Sequence, residues 1–178
     1  MRRMFFITCR YSSDMPIRLT GLFALLICFA SCDNNYLYQE EKTLPGAVWT
    51  YRDTLDFSFT VADTSALYNL YLDFKHSDAF PYQNIYLKLY TRFPDGKRLS
   101  KVRNFDLFDA QGTSNGQCSG GECSVRILLQ DNAFFNTAGA YTITLEQYMR
   151  VDSLNGIIAA GLAVEKTGKT KADVLQKK

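Results

Sequence analysis

The residues of this chain best suited to chemistry are five cysteines and a single histidine. Cys118 and Cys123 form an isolated pair around Ser-Gly-Gly-Glu, a sequence that favours a tight turn. In an exported protein, such a pair is typical of a disulfide between neighbouring strands of a hairpin. Redox and metal sites usually place two residues between their cysteines, or add a histidine nearby, and neither feature occurs here. We predict a Cys118–Cys123 disulfide, with redox or metal chemistry as the alternative.

His76 lacks the partners that catalysis or metal binding would require. It stands in the segment HSDAFPY beside Asp78, without a distinctive serine or cysteine to activate and without further ligands. The chain contains no Gly-x-Ser-x-Gly elbow and no phosphate-binding glycine loop followed by lysine. The acidic residues of segment 106–116 do not follow the spacing of a calcium loop. We predict an exposed loop histidine, no catalytic residue and no metal, and only a glycosidase-type carboxylate pair stays formally open.

The stretch from Met15 to Cys32 carries the pattern of an export signal. Arg18 gives a positive start, residues 19–30 are apolar, and small residues then end at Cys32. The apolar run is shorter than the roughly 20 residues that span a bilayer. Its end resembles a bacterial lipoprotein signal, in which the peptide is cut before the cysteine and the thiol receives a diacylglycerol. We predict translation from Met15, removal of residues 1–31 and a lipid on Cys32; an ordinary secretory signal or a buried helix are the alternatives.

The composition of the remaining body favours strands and argues against nucleic acid as a partner. Aromatic residues make up 14% of the chain, with 11 Tyr and 13 Phe, and they are spread over short segments. Without residues 1–31 the body has 16 basic and 17 acidic residues, so no basic excess is left for nucleic acid or an anionic membrane surface. A body of this length forms one domain and needs no metal or disulfide to fold. We predict no cofactor besides the covalent lipid on Cys32.

Short segments with strand periodicity, separated by turn signals, predict an all-β fold. Strands are predicted at 55–61, 67–74, 84–93, 98–105, 124–130, 139–149 and 156–165, and residues 47–51 are predicted to begin the fold with Trp49 as an anchor. The Pro-Asp-Gly turn at 93–97 closes a hairpin, and Gly161 is predicted to mark a bulge. The pattern indicates an antiparallel, jelly-roll-like β-sandwich of about seven or eight strands, with a closed barrel as the alternative. The predicted bounds are a lipidated tether at 32–46, the sandwich at 47–166 and a flexible tail at 167–178.

One face of the strongest predicted strand could bind a ligand. Tyr86, Lys88, Tyr90 and Arg92 alternate with apolar residues and therefore share a face. Aromatic rings and cations both suit a glycan or peptidoglycan fragment, although a solvated sheet face with long side chains explains the same pattern. Trp49 is a further candidate for stacking on a sugar, but a lone tryptophan more often belongs to a core.

The order and spacing of several short blocks resemble the gliding-motility lipoprotein family GldH of Bacteroidota. These blocks are the lipobox Cys32, Trp49, and the segments 56–59, 68–71, 80–82, 84–87, 93–97 and 149–162. The chain departs from the family between Thr113 and Cys123, where family members have a loop with glycine and tryptophan.

The resemblance implies an outer-membrane lipoprotein that works beside the gliding and type IX secretion machinery. Its role there would be to support other envelope lipoproteins, which are the expected partners, rather than to catalyse a reaction. Only Asp33 is acidic directly after Cys32, which favours the periplasmic face of the membrane over surface export. A glycan- or peptidoglycan-binding sandwich on the same lipid anchor is the alternative function.

Overall fold

The computed structural model describes residues 35–175, which contain eleven strands, one 3-10 turn and one short helix. The strands are β1 (Tyr36–Thr43), β2 (Val48–Thr50), β3 (Thr54–Val61), β4 (Ala66–Ser77), β5 (Asn84–Arg92), β6 (Arg98–Asp106), β7 (Gln117–Ser119), β8 (Glu122–Ala133), β9 (Gly139–Gln147), β10 (Ser153–Asn155) and β11 (Ile157–Thr170). The 3-10 turn spans Pro45–Ala47, and the helix α1 spans Lys171–Leu175.

Two antiparallel sheets stack to form a sandwich. The five-stranded sheet has the order β1-β11-β4-β8-β7, and the four-stranded sheet has the order β3-β9-β5-β6. A third, two-stranded ribbon pairs β10 with β2. Eight of the strands have eight or more residues. If these long strands alone are numbered 1 to 8 in chain order, the strand order is 1-8-3-6 in the larger sheet and 2-7-4-5 in the smaller one. This is the strand order of a jelly roll, so the predicted fold class is confirmed.

One hydrophobic core fills the space between the two sheets. In β3 every second residue is buried, and the buried positions of β5 and β9 continue the same layer opposite β4 and β11. The strict period of two arises because successive strand side chains point to opposite faces. Large side chains that are almost wholly buried include Phe57, Leu72, Phe74, Leu87, Leu145 and Leu162. Burial of side chains of this size stabilises the fold by about 1.5–3 kcal/mol each.

The sandwich has two margins, the open sides where an edge of one sheet faces an edge of the other, and they differ in how they are closed. At one margin, β1 packs over β3: the rings of Tyr38 and Phe59 lie 5.6 Å apart, and Lys42 Nζ lies 5.4 Å from the Phe57 ring centre. At the other margin β6 faces β8, and Arg103 there donates from Nη1 to the Leu129 carbonyl oxygen at 3.1 Å. The first margin is therefore closed by packed aromatic rings, whereas the second is spanned by a long polar side chain.

The predicted tether and tail are both wrong over most of their length. Residues 36–43 form β1, which pairs with residues 159–165 of β11 and is polar because it lies at the edge of a sheet. At the other end, β11 continues to Thr170 and leads into α1, and Thr167 Oγ1 donates to the Leu67 carbonyl at 3.0 Å. The folded body therefore extends well beyond the predicted range 47–166. Cys32 and the signal lie outside the described residues.

Gly161 does not form the predicted bulge. The register of β11 against β4 shifts between Ile157 and Ala159, whereas Gly161 lies in regular pairing with Asp73. A Cβ atom on Gly161 would lie 2.9 Å from the Glu40 carbonyl oxygen and 3.4 Å from Asp73 Cβ. Glycine is therefore required here because β1 and β4 approach the backbone of β11 closely.

The β3–β4 turn gives a pH-dependent prediction at Asp63. Its carboxylate accepts hydrogen bonds from Lys166 Nζ at 2.7 Å and Ser65 Oγ at 2.6 Å, and these bonds lower the pKa of Asp63 well below its ordinary value near 3.8. A carboxyl group with a lowered folded-state pKa stabilises the fold above its unfolded-state pKa, and this stabilisation is lost as the pH falls toward the folded-state pKa. We expect Asp63→Asn to lower Tm at pH 7, and the difference from wild type to shrink below about pH 4. Thermal unfolding across pH checks this, with exposed Asp78→Asn as control; a pH-independent difference would contradict it.

Candidate binding surface

Cys118 and Cys123 are joined by a disulfide that links β7 to β8. The two residues are directly paired across the hairpin, with their Cα atoms 4.0 Å apart. Gly120 and Gly121 make the turn between them, with φ values of 62° and 84°, in the left-handed region that glycine adopts freely. The bond therefore closes a short surface hairpin, and Cys123 contributes its side chain to the buried side.

The prediction that His76 is an exposed loop residue is wrong. His76 lies near the end of β4 and is fully buried, with its ring 4.9 Å from Phe108 and 5.9 Å from Phe80 between ring centres. Its Nδ1 lies 2.8 Å from the Ser77 carbonyl oxygen, and its Nε2 has no hydrogen-bond partner among the described residues. The signal was present in the sequence, because every second residue from Tyr68 onward is buried and the period reaches position 76. The imidazole serves as a core side chain.

A core role for His76 predicts tolerance to an apolar side chain of similar size. His76→Leu removes a buried ring nitrogen that has no partner, so we expect a loss in unfolding free energy below about 1.5 kcal/mol. His76→Ala leaves a cavity and should cost more than about 2 kcal/mol. Urea unfolding of both variants checks this order. If His76→Leu unfolded as readily as His76→Ala, the imidazole would have a specific polar role.

Trp49 is not a ligand-facing residue, so its proposed role in stacking on a sugar is wrong. Its side chain is completely buried, and Nε1 donates to the Asp53 carbonyl oxygen at 2.9 Å. Trp49 also pairs with Leu154 across the small β2–β10 ribbon. The tryptophan therefore anchors this ribbon to the core, which is the usual role of a lone tryptophan.

The predicted face of β5 divides into a free part and an occupied part. Tyr86 and Arg92 are exposed, whereas Lys88 and Tyr90 are half-buried. The guanidinium carbon of Arg98 lies 3.9 Å from the Tyr90 ring centre, and Tyr90 donates to Glu146 Oε2 at 2.9 Å. Lys88 Nζ lies 5.1 Å from the same ring, and its contact with Tyr90 raises the pKa of Lys88 above its ordinary value. Lys88 and Tyr90 are therefore engaged within the sheet, and Tyr86 is the aromatic residue left to meet a ligand.

Tyr86 forms part of an aromatic groove that the sequence did not reveal. Three other tyrosines converge on it from separate parts of the chain, and between 37% and 45% of each of the four side chains is exposed. The groove encloses about 920 Å³. It is lined by Tyr51, Tyr82, Tyr86, Val102, Tyr148, Met149, Arg150, Val151 and Asp152. Four tyrosine rings beside one cation and one carboxylate give a surface suited to a ligand with both apolar faces and polar groups.

Hydrogen bonds hold the groove-lining segment 148–152 in place. The Tyr148 amide donates to the Tyr86 carbonyl at 2.8 Å, and the Tyr51 amide donates to the Asp152 carbonyl at 2.8 Å. Buried Gln147 accepts from the Met149 amide at 2.9 Å and donates to the Val151 carbonyl at 3.0 Å. The groove is therefore preformed. Its tyrosines come from strand ends and loops, which explains why the period of a single strand could not identify them.

Two further findings concern metal binding and membrane-spanning helices among the described residues. Within the range 35–175, His, Cys, Asp and Glu side chains form no group of three that could hold a metal ion. No helix in that range has the length and apolar character to cross a membrane.

The fold and the groove define an antiparallel jelly-roll β-sandwich with an exposed aromatic groove. The sequence profile of the family described as GldH lipoprotein matches residues 36–164, from β1 into β11. The chain belongs to this lipoprotein family, as its sequence blocks had indicated.

Two curated relatives match over most of their length. The gliding motility lipoprotein GldH homolog of Christiangramia forsetii is 25% identical over 80% of this chain and 91% of the relative. The gliding motility lipoprotein GldH of Flavobacterium johnsoniae is 23% identical over 85% of this chain and 98% of the relative.

Solved structures of similar shape are more distant. A carbohydrate-binding module specific for non-crystalline cellulose, CBM28, is 13% identical, with 73% of each chain covered and a TM-score of 0.40. Dimeric latent PorU from Porphyromonas gingivalis is 12% identical, with 77% of this chain and 14% of that chain covered and a TM-score of 0.35. Both scores lie below 0.5, and neither likeness indicates what this chain binds.

Proposed function

We propose that this protein is a non-catalytic, lipid-anchored outer-membrane protein that supports the assembly or stability of gliding-motility and type IX secretion lipoproteins. The family match carries the proposal, because it spans residues 36–164 and so includes almost the whole sandwich rather than one short motif. The curated relatives that it resembles over 80% and 85% of its length are both called gliding motility lipoproteins.

The side-chain chemistry of the sandwich supports a non-catalytic role. The single histidine is a core residue, and several surface carboxylates are paired with cations of other strands. Arg126 makes two hydrogen bonds to Asp73, both at 2.7 Å, and Lys75 Nζ contacts Glu41 at 2.6 Å. Groups tied in this way stabilise the sheet and are poorly placed to transfer protons to a substrate.

The lipid anchor of the proposal would hold the sandwich close to the bilayer. Four residue steps separate Cys32 from Tyr36, the first residue of β1. At no more than about 3.6 Å per residue, this connection reaches at most about 14 Å. A scaffold on so short a connection would meet partners that are themselves anchored in the same membrane.

Deletion followed by quantitative proteomics of the outer membrane tests the proposed function. We expect the abundance of other gliding or type IX lipoproteins to fall several-fold without this protein, and to recover with the wild-type chain and with His76→Leu. Messenger RNA levels of the same lipoproteins serve as the control for indirect effects. Unchanged abundance of every such lipoprotein, together with unchanged type IX secretion, would overturn the proposal.

Glycan binding is the second candidate, and the aromatic groove favours it. Exposed tyrosine rings can stack on sugar faces, while Arg150 could donate and Asp152 could accept hydrogen bonds at the rim. Titration of the full chain with peptidoglycan fragments, followed by NMR, tests this function. Glycan binding is supported if Tyr86→Ala weakens the binding of the fragments at least tenfold and Tyr90→Ala leaves it unchanged. The absence of any shift at millimolar fragment would exclude it.

A further inference from the structure

The margin between β6 and β8 carries two strand edges that lack a partner within the described residues. β6 ends the four-stranded sheet and pairs only with β5, and eight of its nine residues are exposed. β7 covers residues 122–124 of β8 and leaves the rest of that edge open. A groove of about 580 Å³ lies between β6 and the Ile127–Leu128 segment. Unpaired edges of this length are templates for the addition of another strand.

The backbone register shows which groups of β6 face outward. Hydrogen bonds from the Phe93 amide to the Lys97 carbonyl and from the Leu107 amide to the Gln83 carbonyl lie at the two ends of the β5–β6 pairing. Both bonds join odd-numbered residues. In an antiparallel ladder, hydrogen-bonded pairs alternate with pairs that are not hydrogen-bonded, so the backbone groups of the odd-numbered residues of β6 bond to β5. The amides and carbonyls of Ser100, Val102 and Asn104 consequently point to the open edge.

The side chains of the same strand define what could bind beside it. Lys101 and Arg103 pair with buried Leu89 and Leu87, so they stand on the face directed toward the other sheet. Both side chains are exposed, and Arg103 also donates to the Leu129 carbonyl of β8 at 3.1 Å. Leu99 and Val102 are 64% and 43% exposed, and they provide apolar contacts on the two faces. The facing residues 125–130 of β8 add no free charge, because their one cation, Arg126, is paired with Asp73. β6 itself carries three cations and one carboxylate, Asp106, so the margin has a net positive charge with apolar positions between the charges.

This charge pattern selects against a second copy of the same strand. Antiparallel pairing of β6 with β6 about Val102 would place Lys101 of each chain opposite Arg103 of the other, which is destabilising, and only Arg98 would meet an acidic residue, Asp106. An extended segment with alternating acidic residues would instead place carboxylates beside Lys101 and Arg103. We propose that the β6 edge accepts an extended acidic segment of a partner protein by β-strand addition. This inference rests on the proposed scaffolding function and names the surface through which it would act.

Hydrogen exchange on the full mature chain in detergent micelles tests the inference. The probe is a capped peptide as long as β6 that alternates glutamate with valine or threonine, and a matched peptide carries lysine in place of glutamate. We expect the acidic peptide to slow amide exchange of Ser100, Val102 and Asn104 at least tenfold, and the lysine peptide to leave them unchanged. Equal effects of the two peptides, no protection by either, or a dimer formed through β6 would overturn the inference.

Two variants distinguish strand addition from non-specific electrostatic attraction between the peptide and the β6 edge. Val102→Pro removes an outward amide that β5 does not use, so it should weaken peptide binding at least tenfold, whereas Val102→Thr should bind like wild type. Lys101→Glu should weaken binding of the acidic peptide and strengthen binding of the lysine peptide. Lys169→Glu makes the same charge change on β11 and should alter neither affinity. Unaltered binding by both Val102→Pro and Lys101→Glu would contradict the inference. Lipoprotein abundance after deletion is measured independently, so either claim can fail alone.

Discussion

Replacing Trp49 with alanine is expected to lower the unfolding free energy by about 3–5 kcal/mol, the usual cost of deleting a large buried aromatic side chain. Trp49 is completely buried, packs in the core and donates a hydrogen bond to the Asp53 carbonyl. The change removes these contacts and frees the small β2–β10 ribbon, in which Trp49 pairs with Leu154. A loss of this size is a large fraction of the stability of a typical domain.

Urea unfolding of the purified full chain measures this effect. Trp49→Phe keeps most of the apolar volume and should cost less than the alanine variant. Tyr51→Ala is the matched surface control, because Tyr51 is 45% exposed only two residues away, and we expect a change within about 0.5 kcal/mol. A Trp49→Ala loss as small as that of Tyr51→Ala would show that the ribbon does not depend on the core.

Replacing Cys32 with serine is expected to abolish lipid attachment altogether. The thiol is the nucleophile that would receive the diacylglycerol, and a serine hydroxyl does not provide the thiolate that such a reaction uses. Each buried methylene contributes about 0.8 kcal/mol to membrane binding, so the loss of several acyl chains removes the anchor. The lipobox position of Cys32 in the sequence is the basis of this prediction.

Labelling cells with an alkyne analogue of palmitate measures the attachment directly. Wild-type protein should carry the label and Cys32→Ser should carry none, whereas Cys28→Ser in the same apolar segment should be labelled like wild type. Label that persists in Cys32→Ser would place the lipid elsewhere. A wild-type protein without label would mean that the segment is an ordinary secretory signal.

Local patterns in the sequence were sufficient to predict the sandwich and its β5–β6 hairpin. Residues 84–93 alternate strictly and are followed by a Pro-Asp-Gly turn, and the structure places β5, the turn and β6 there. The buried layer of β3 follows from the same period of two. These features depend on neighbours in the chain, which a sequence displays directly.

Features that depend on distant strands could not be predicted in this way. The polar sequence of β1 resembles a tether until β11 is known to lie beside it. The segment HSDAFPY predicts a loop at His76, although β4 continues through Ser77. The aromatic groove collects Tyr51, Tyr82 and Tyr148 from separate segments, and only the folded chain brings them to Tyr86.

The most direct test of the proposed function is a crosslinking pulldown from native outer membrane, with Cys32 intact and a photo-crosslinker at Asn104 on the β6 edge. We expect gliding or type IX lipoproteins to be recovered, and the crosslinked partner peptide to be extended and acidic. Val102→Thr in the same background should recover the same partners. Recovery of only glycan or peptidoglycan, with no lipoprotein of that machinery, would contradict the scaffolding function and favour the aromatic groove as a glycan site.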